Sequence, residues 1–184
     1  MTHHEVSHRS LKTDIPDYAT HYHLSDRRPF LNLSDLEDER SSEVIRDLQE
    51  LRRAGRNTRL FGRTYVLWRR ATERKMRELF LQAGGEPERQ APHYFVLGSC
   101  HWFERLAPDT LPVAIPLAAL PTNVTSFTYP DSFGAMGLGP EFGQPYEPRP
   151  YHGRVYRMEE LGVVVETHGL PDGSQDEDYE GYHL

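Results

Sequence analysis

Two histidines open the chemistry of this chain. In His21-Tyr22-His23-Leu24-Ser25-Asp26 the residues alternate, so a strand here puts His21 and His23 on one side and Tyr22 and Leu24 on the other. Two imidazoles on one face serve as metal ligands or as hydrogen-bonding groups for a substrate. An edge strand with both rings in water satisfies the same pattern. The second stretch is 92–103, Pro-His-Tyr-Phe-Val-Leu-Gly-Ser-Cys-His-Trp-Phe. Its apolar run 94–97 has the length of a buried central strand, and Gly98 lets the chain turn into Ser99, Cys100 and His101. Cys100 and His101 are neighbours along the chain, which sends their side chains to opposite faces. A buried, inert thiol is therefore the default for Cys100. A metal-dependent site with open positions would use His21 and His23 with His93 or His101 and a carboxylate.

Helices must hold these strands. Ser34-Asp35-Leu36-Glu37 has the form of a capping box, followed by Leu36, Val44, Ile45, Leu48 and Leu51 near helical spacing, with Gly55 as the stop. Ser41-Ser42 is a place where this helix could divide. A second helix is expected over 63–83. Tyr65, Trp68, Thr72, Met76, Leu79, Phe80 and Ala83 form its apolar stripe, with Arg69, Arg70, Arg74, Arg77 and Glu78 on a solvated face. Pro112 and Pro116 make 113–115 a short or an edge strand. Strands are also expected over 123–129 and 154–158, and a short helix over 159–168. Residues 134–150 are rich in Gly and Pro with Phe142 and Tyr146 between them. They are too long for a routine connection, which suggests a mobile segment, a lid or a partner-gripping loop.

The 184 residues suit one domain with a real core, although only 37% are apolar. We expect a mobile leader over 1–19, a single α+β domain over 20–170 and an acidic tail over 171–184. The domain would pack two N-terminal helices on a small mixed or antiparallel sheet of about four to six strands. The net charge of −7 argues against nonspecific nucleic-acid binding by the whole molecule. The single cysteine allows no internal disulfide and suits a reducing compartment. No apolar run is long enough to cross a membrane and no secretory h-region is present, so a cytoplasmic protein is expected. There is no P-loop, no Gly-x-Gly-x-x-Gly, no Gly-x-Ser-x-Gly, no His-Glu-x-x-His and no Cys-x-x-Cys.

The order of these elements resembles the split-sheet plan of ADP-ribosyltransferase-like proteins. The resemblance runs through His23-Leu24-Ser25, the helices, Tyr94-Phe95-Val96-Leu97 and Phe127-Thr128-Tyr129-Pro130-Asp131, across roughly residues 20–160. It implies NAD as the cofactor, with His23 and Ser25 on the nicotinamide ribose and Tyr94 or Tyr129 stacked on the ring. It also implies a late catalytic glutamate, drawn from Glu147, Glu159 and Glu160. The acceptor of the ADP-ribose would be a protein or a nucleic acid. The cleavage develops positive charge on the ribose, which a nearby carboxylate stabilises. The alternative is a non-catalytic binding or regulatory module that uses loop 134–150.

Overall fold

The computed structural model describes residues 14–59 and 61–171, so most of the expected leader and all but Pro171 of the expected tail lie outside the described residues, while Tyr18 and Ala19, expected in the mobile leader, lie instead in a strand. The architecture is α+β. Strand β1 (Tyr18–Leu24) is the centre of a three-stranded antiparallel sheet, between β2 (Val96–Leu97) and β3 (Thr110–Pro116). Its register pairs Ala19 with Leu97 on one side and His21 with Val113 on the other. The run 94–97 is thus not the central strand expected from its apolar residues. Only Val96 and Leu97 pair, at an edge, because the Tyr94 carbonyl is taken by the His21 ring instead of the ladder. Gly98 then turns at φ 68°, and a Cβ there would lie 2.9 Å from the Pro16 ring. The turn is held by the Thr20 hydroxyl, which donates to the Gly98 carbonyl at 2.5 Å. On the far edge, Pro112 and Pro116 lie in β3 without breaking it, since an edge strand has one unpaired side.

A second, two-stranded sheet joins β4 (Ser126–Phe127) to β5 (Tyr156–Arg157), with Phe127 stacked on Tyr156 at 5.3 Å between centroids. The strand expected over 123–129 is this short because its start is used elsewhere. The Asn123 carbonyl accepts from Glu86 N–H, and Val124 N–H turns back to the Pro121 carbonyl.

Helix α1 (Asp38–Arg53) follows a 3-10 turn at Leu33–Asp35. The expected capping box does not form. Asn32 Oδ1 accepts from Ser34 N–H, the Ser34 hydroxyl accepts from Arg69, and Glu37 caps α1 through its backbone alone. Ser41 and Ser42 do not divide the helix, because both hydroxyls donate back to the Asp38 carbonyl. Helix α2 (Tyr65–Gln82) is the spine of the molecule. Its stripe buries Tyr65, Trp68, Thr72 and Phe80, as the spacing predicts. Three short helices complete the fold: α3 (His101–Glu104), α4 (Ser132–Met136) and α5 (Leu161–His168), the last near the expected position.

The apolar core gathers Trp68 and Phe80 from α2, Ala135 and Met136 from α4, and Leu138 and Val155. Phe133 and Phe142 pack against it. Loop 134–150 is therefore not a free lid: its first half fills the core. Ala135 and Met136 are fully buried, and Phe142 stacks on Trp68 at 5.8 Å. Two cations tie the layers together. Lys75 Nζ donates to the Met136 carbonyl at 2.7 Å, where α4 ends, and Arg157 donates to the Gly84 carbonyl at 2.9 Å, just past α2. No helix of the described residues is long and apolar enough to cross a membrane.

Candidate functional site

Among the described residues, a dense polar cluster lies on the inner side of α2, at residues 69 and 73. Glu73 is 2% exposed. Arg69, one turn earlier, has Nε 3.0 Å from Glu73 Oε1, but its single Nε–H points to the Ser34 hydroxyl, also at 3.0 Å. The two charges thus sit in contact while the hydrogen bonds go elsewhere. Arg69 Nη2 donates to Asn32 Oδ1 at 3.2 Å and Nη1 to the Tyr65 hydroxyl at 3.3 Å. The Tyr94 ring lies under the guanidinium, 4.6 Å from its carbon. Arg59 reaches the same phenol from outside, with Nη2 donating to Tyr65 at 3.0 Å.

The titration of this group follows from its charges. Burial alone would raise the Tyr65 phenol, but Arg59 and Arg69 together outweigh it and hold the group below its ordinary value. Burial pushes Tyr94 well above the ordinary phenol range, and the Glu73 carboxylate adds to the rise. Arg69 pays for its burial with Tyr65, Tyr94 and Glu73 as neighbours, and its charge is retained.

A second cluster adjoins the first through Tyr94. His21 Nδ1–H donates to the Tyr94 carbonyl at 3.0 Å, while Nε2 accepts from Phe30 N–H at 3.0 Å. Both ring nitrogens are consumed by backbone, which fixes the neutral tautomer and leaves no lone pair for a metal. Burial, and secondarily the charge of His23, lowers the His21 pKa. Phe30 stacks on His21 at 4.7 Å and sits at φ 63°, a costly conformation for a bulky residue. His93 meets the edge of Phe30 at 5.7 Å. His101 pairs instead with Glu104 at 3.4 Å, beside Tyr22, on the sheet face opposite His21 and His23. The metal set expected from these histidines is corrected accordingly. Among the described residues no three His, Cys, Asp or Glu gather as a metal would require.

The residues carried by the ADP-ribosyltransferase resemblance fall into two groups. His23 and Tyr94 belong to the region of the first sheet, with His23 Nδ1 2.9 Å from the Arg27 carbonyl. Ser25 lies just past β1, exposed, its N–H donating to the Asp109 carbonyl at 3.0 Å. Tyr129 follows β4 of the second sheet. Its hydroxyl donates to the His168 carbonyl at 2.8 Å, and its ring neighbours are Tyr151 and His168. No hydrogen bond or ring contact joins it to His23 or Tyr94 among the described residues. Glu160 accepts from Arg157 N–H at 2.8 Å, capping the turn before α5. Glu159 pairs with the Arg157 side chain at 3.3 Å and Glu147 with Arg149 at 2.7 Å, both in solvent.

Reasoning from sequence missed Arg69 and Glu73, placing the first on a solvated face. The signal was present: at about 100° per residue, Arg69 falls between Met76 and Phe80, within the buried arc. The i, i+4 spacing to Glu73 then supplies the partner.

The second half of the 134–150 loop behaves unlike the first. Pro145, Glu147, Pro148, Arg149 and Pro150 are all exposed, and 144–149 carry no regular secondary structure. The segment is anchored on both flanks. Gln144 N–H donates to the Gly139 carbonyl at 2.9 Å, and His152 N–H to the Arg149 carbonyl at 3.0 Å. Midway, the Tyr146 ring stacks on His152 at 5.3 Å. Compared with known proteins, the chain matches no family model, no curated sequence and no solved structure.

Proposed function

We propose that this chain is a partner-binding module that presents Gln-Pro-Tyr-Glu-Pro-Arg-Pro, residues 144–150, as an extended ridge for an aromatic-lined groove on another protein. One observation carries the reading: five of the seven ridge residues are exposed, yet the segment is tied down at its flanks and at Tyr146. Its backbone is restricted before any partner arrives. Three of the seven residues are prolines with fixed φ, and Gln144, Glu147 and Arg149 each precede a proline, which confines them to extended or polyproline conformations. Only Tyr146 is free of both restraints, and its ring is packed. In a polyproline helix of three residues per turn, Pro145 and Pro148 lie along one edge, as ligands of proline-binding grooves require. A ridge already ordered loses little entropy on docking.

The test is a titration of isotopically labelled protein with purified proline-groove domains of the SH3 and WW classes. Saturable shifts centred on 144–150, weakened at least tenfold by Pro148→Ala, are expected. Binding that ignores Pro148→Ala, or no binding across the panel, would overturn the reading. The ADP-ribosyltransferase plan makes a separate demand, that His23 and Tyr129 serve one NAD molecule. Calorimetric NAD binding lost in His23→Ala would move the function back to that plan.

A further inference from the structure

Residues 51–72 hold seven arginines, 52, 53, 56, 59, 63, 69 and 70, and no acidic residue. Arg69 is spent inside the fold on Glu73, and Arg70 pairs with Asp38 at the surface. The others follow or border the connection between α1 and α2, which packs against residues 101–109. Thr58 N–H donates to the Leu106 carbonyl at 2.8 Å, and Arg56 faces Asp109 at 3.7 Å. Between the two segments lies an open hollow of about 290 Å³, whose lining includes Gly55, Asn57, Thr58, Glu104 and Arg105.

We infer that this hollow is a binding site for a small phosphomonoester, with the Arg105 guanidinium and the Asn57 carboxamide as its donors. Arg105 is exposed and makes no ion pair or side-chain hydrogen bond among the described residues. Asn57 is 8% exposed. Its Oδ1 is occupied by Arg59 N–H at 2.8 Å, and its Nδ2 has no partner among the described residues. An amide that lines a hollow and keeps a donor within reach of solvent can offer it to an acceptor oxygen. Arg52 and Arg56, on the flanking segment, add positive charge nearby. Arg52 is steered there by its Nε–H, which donates to the Thr58 carbonyl at 3.4 Å.

Two carboxylates oppose an anion, and both are already engaged. Glu104 accepts from the Tyr22 hydroxyl at 3.3 Å and lies 3.4 Å from His101, while Asp109 faces Arg56. Glu104 and Arg105 are the charged residues of the lining; Arg52 and Arg56, on the segment that flanks it, outnumber Asp109 and tip the surroundings toward an anion. The volume lies at the lower end of small-ligand sites, room for a phosphate with a small organic body. A nucleic-acid strand would need a longer basic track than this site offers.

Inorganic phosphate and ribose 5-phosphate serve as probes, titrated against matched chloride at constant ionic strength and followed by amide shifts. Saturable shifts at 55–58 and 104–108 are expected, with ribose 5-phosphate the tighter. Arg105→Gln should weaken both at least tenfold. Because Arg105 is exposed, the variant should fold, and its amide spectrum away from the hollow checks this. Arg74→Gln removes an exposed arginine of α2 and should leave affinity unchanged. Shifts no larger than those in chloride, or equal losses in Arg105→Gln and Arg74→Gln, would overturn the inference. So would a single-stranded oligonucleotide that binds across the arginine run while neither small probe binds.

Discussion

Arg69→Met is the sharpest test of how this fold is held together. The variant keeps most of the side-chain volume but removes the cation that pairs with Glu73 among the described residues, and Glu73 is only 2% exposed. Breaking a buried pair from one side costs about 3–5 kcal/mol, since the remaining charge is stranded. The lost bonds to Ser34, Asn32 and Tyr65 act on the same group and do not add as independent terms. Against a domain stability of about 5–15 kcal/mol, this loss approaches global unfolding. Urea denaturation followed by tryptophan fluorescence reads it directly. The double variant Arg69→Met/Glu73→Leu removes both charges and should recover at least about 2 kcal/mol relative to Arg69→Met. Arg69→Lys keeps the charge without the planar fork and supplies a milder loss if the methionine variant does not fold. A loss under about 1 kcal/mol for Arg69→Met, or a double variant no more stable than it, would refute the claim that this pair is coupled and buried.

Two further outcomes follow from the core and from the histidines. Trp68→Ala removes a ring 5% exposed that contacts Phe133 and Phe142, and should cost about 3–5 kcal/mol by chemical denaturation, with under 1 kcal/mol refuting its place in the core. Burial lowers the pKa values of His21, His93 and His152 in the fold, so their neutral forms stabilise it above the unfolded value of about 6.5, and that contribution is lost as pH falls through the folded values. Each group can contribute a slope of at most about 1.4 kcal/mol per pH unit, and partial exposure keeps it lower. Asp131, whose pKa burial raises, acts in the opposite sense. Midpoint denaturant concentrations from pH 7.5 to 5.5 should therefore fall, less steeply in His21→Gln. A flat profile in the native protein would contradict the assignment.

Local pattern carried the helices, and tertiary competition decided the strands. The α2 stripe was legible because 18 residues at helical period leave little ambiguity. The proline-marked edge strand was legible because proline cannot donate on its paired side. What failed depended on partners distant in sequence. The apolar run at 94–97 looked central, yet the His21 ring captured the Tyr94 carbonyl and left two paired residues. Ser34 and Glu37 matched a capping box, but Arg69, 35 residues away, claimed the hydroxyl. The glycines and prolines of 134–150 suggested a mobile lid, because composition does not reveal that Ala135, Met136 and Leu138 face the core between them.

The same helix supports both surfaces offered for binding, by different means. The apolar side of α2 seats Phe133, Met136 and Phe142, which fixes the start of the loop and hence the flank from which the proline ridge leaves. The N-terminal end of α2 works through charge instead. Tyr65 receives hydrogen bonds from both Arg69 and Arg59, and Arg59 lies over the rings of Phe61 and Trp102, 5.3 and 5.9 Å from their centroids. That contact presses the α1–α2 connection against 101–109 and shapes the hollow between them. A polar centre is a costly way to fill a core, and apolar residues of equal volume would often do as well for stability alone. An arginine inside and another outside sharing one phenol do what an apolar cluster cannot: they set the position of an exposed basic loop from within the fold. Stability and site geometry are therefore coupled at Tyr65 and largely separate at Trp68.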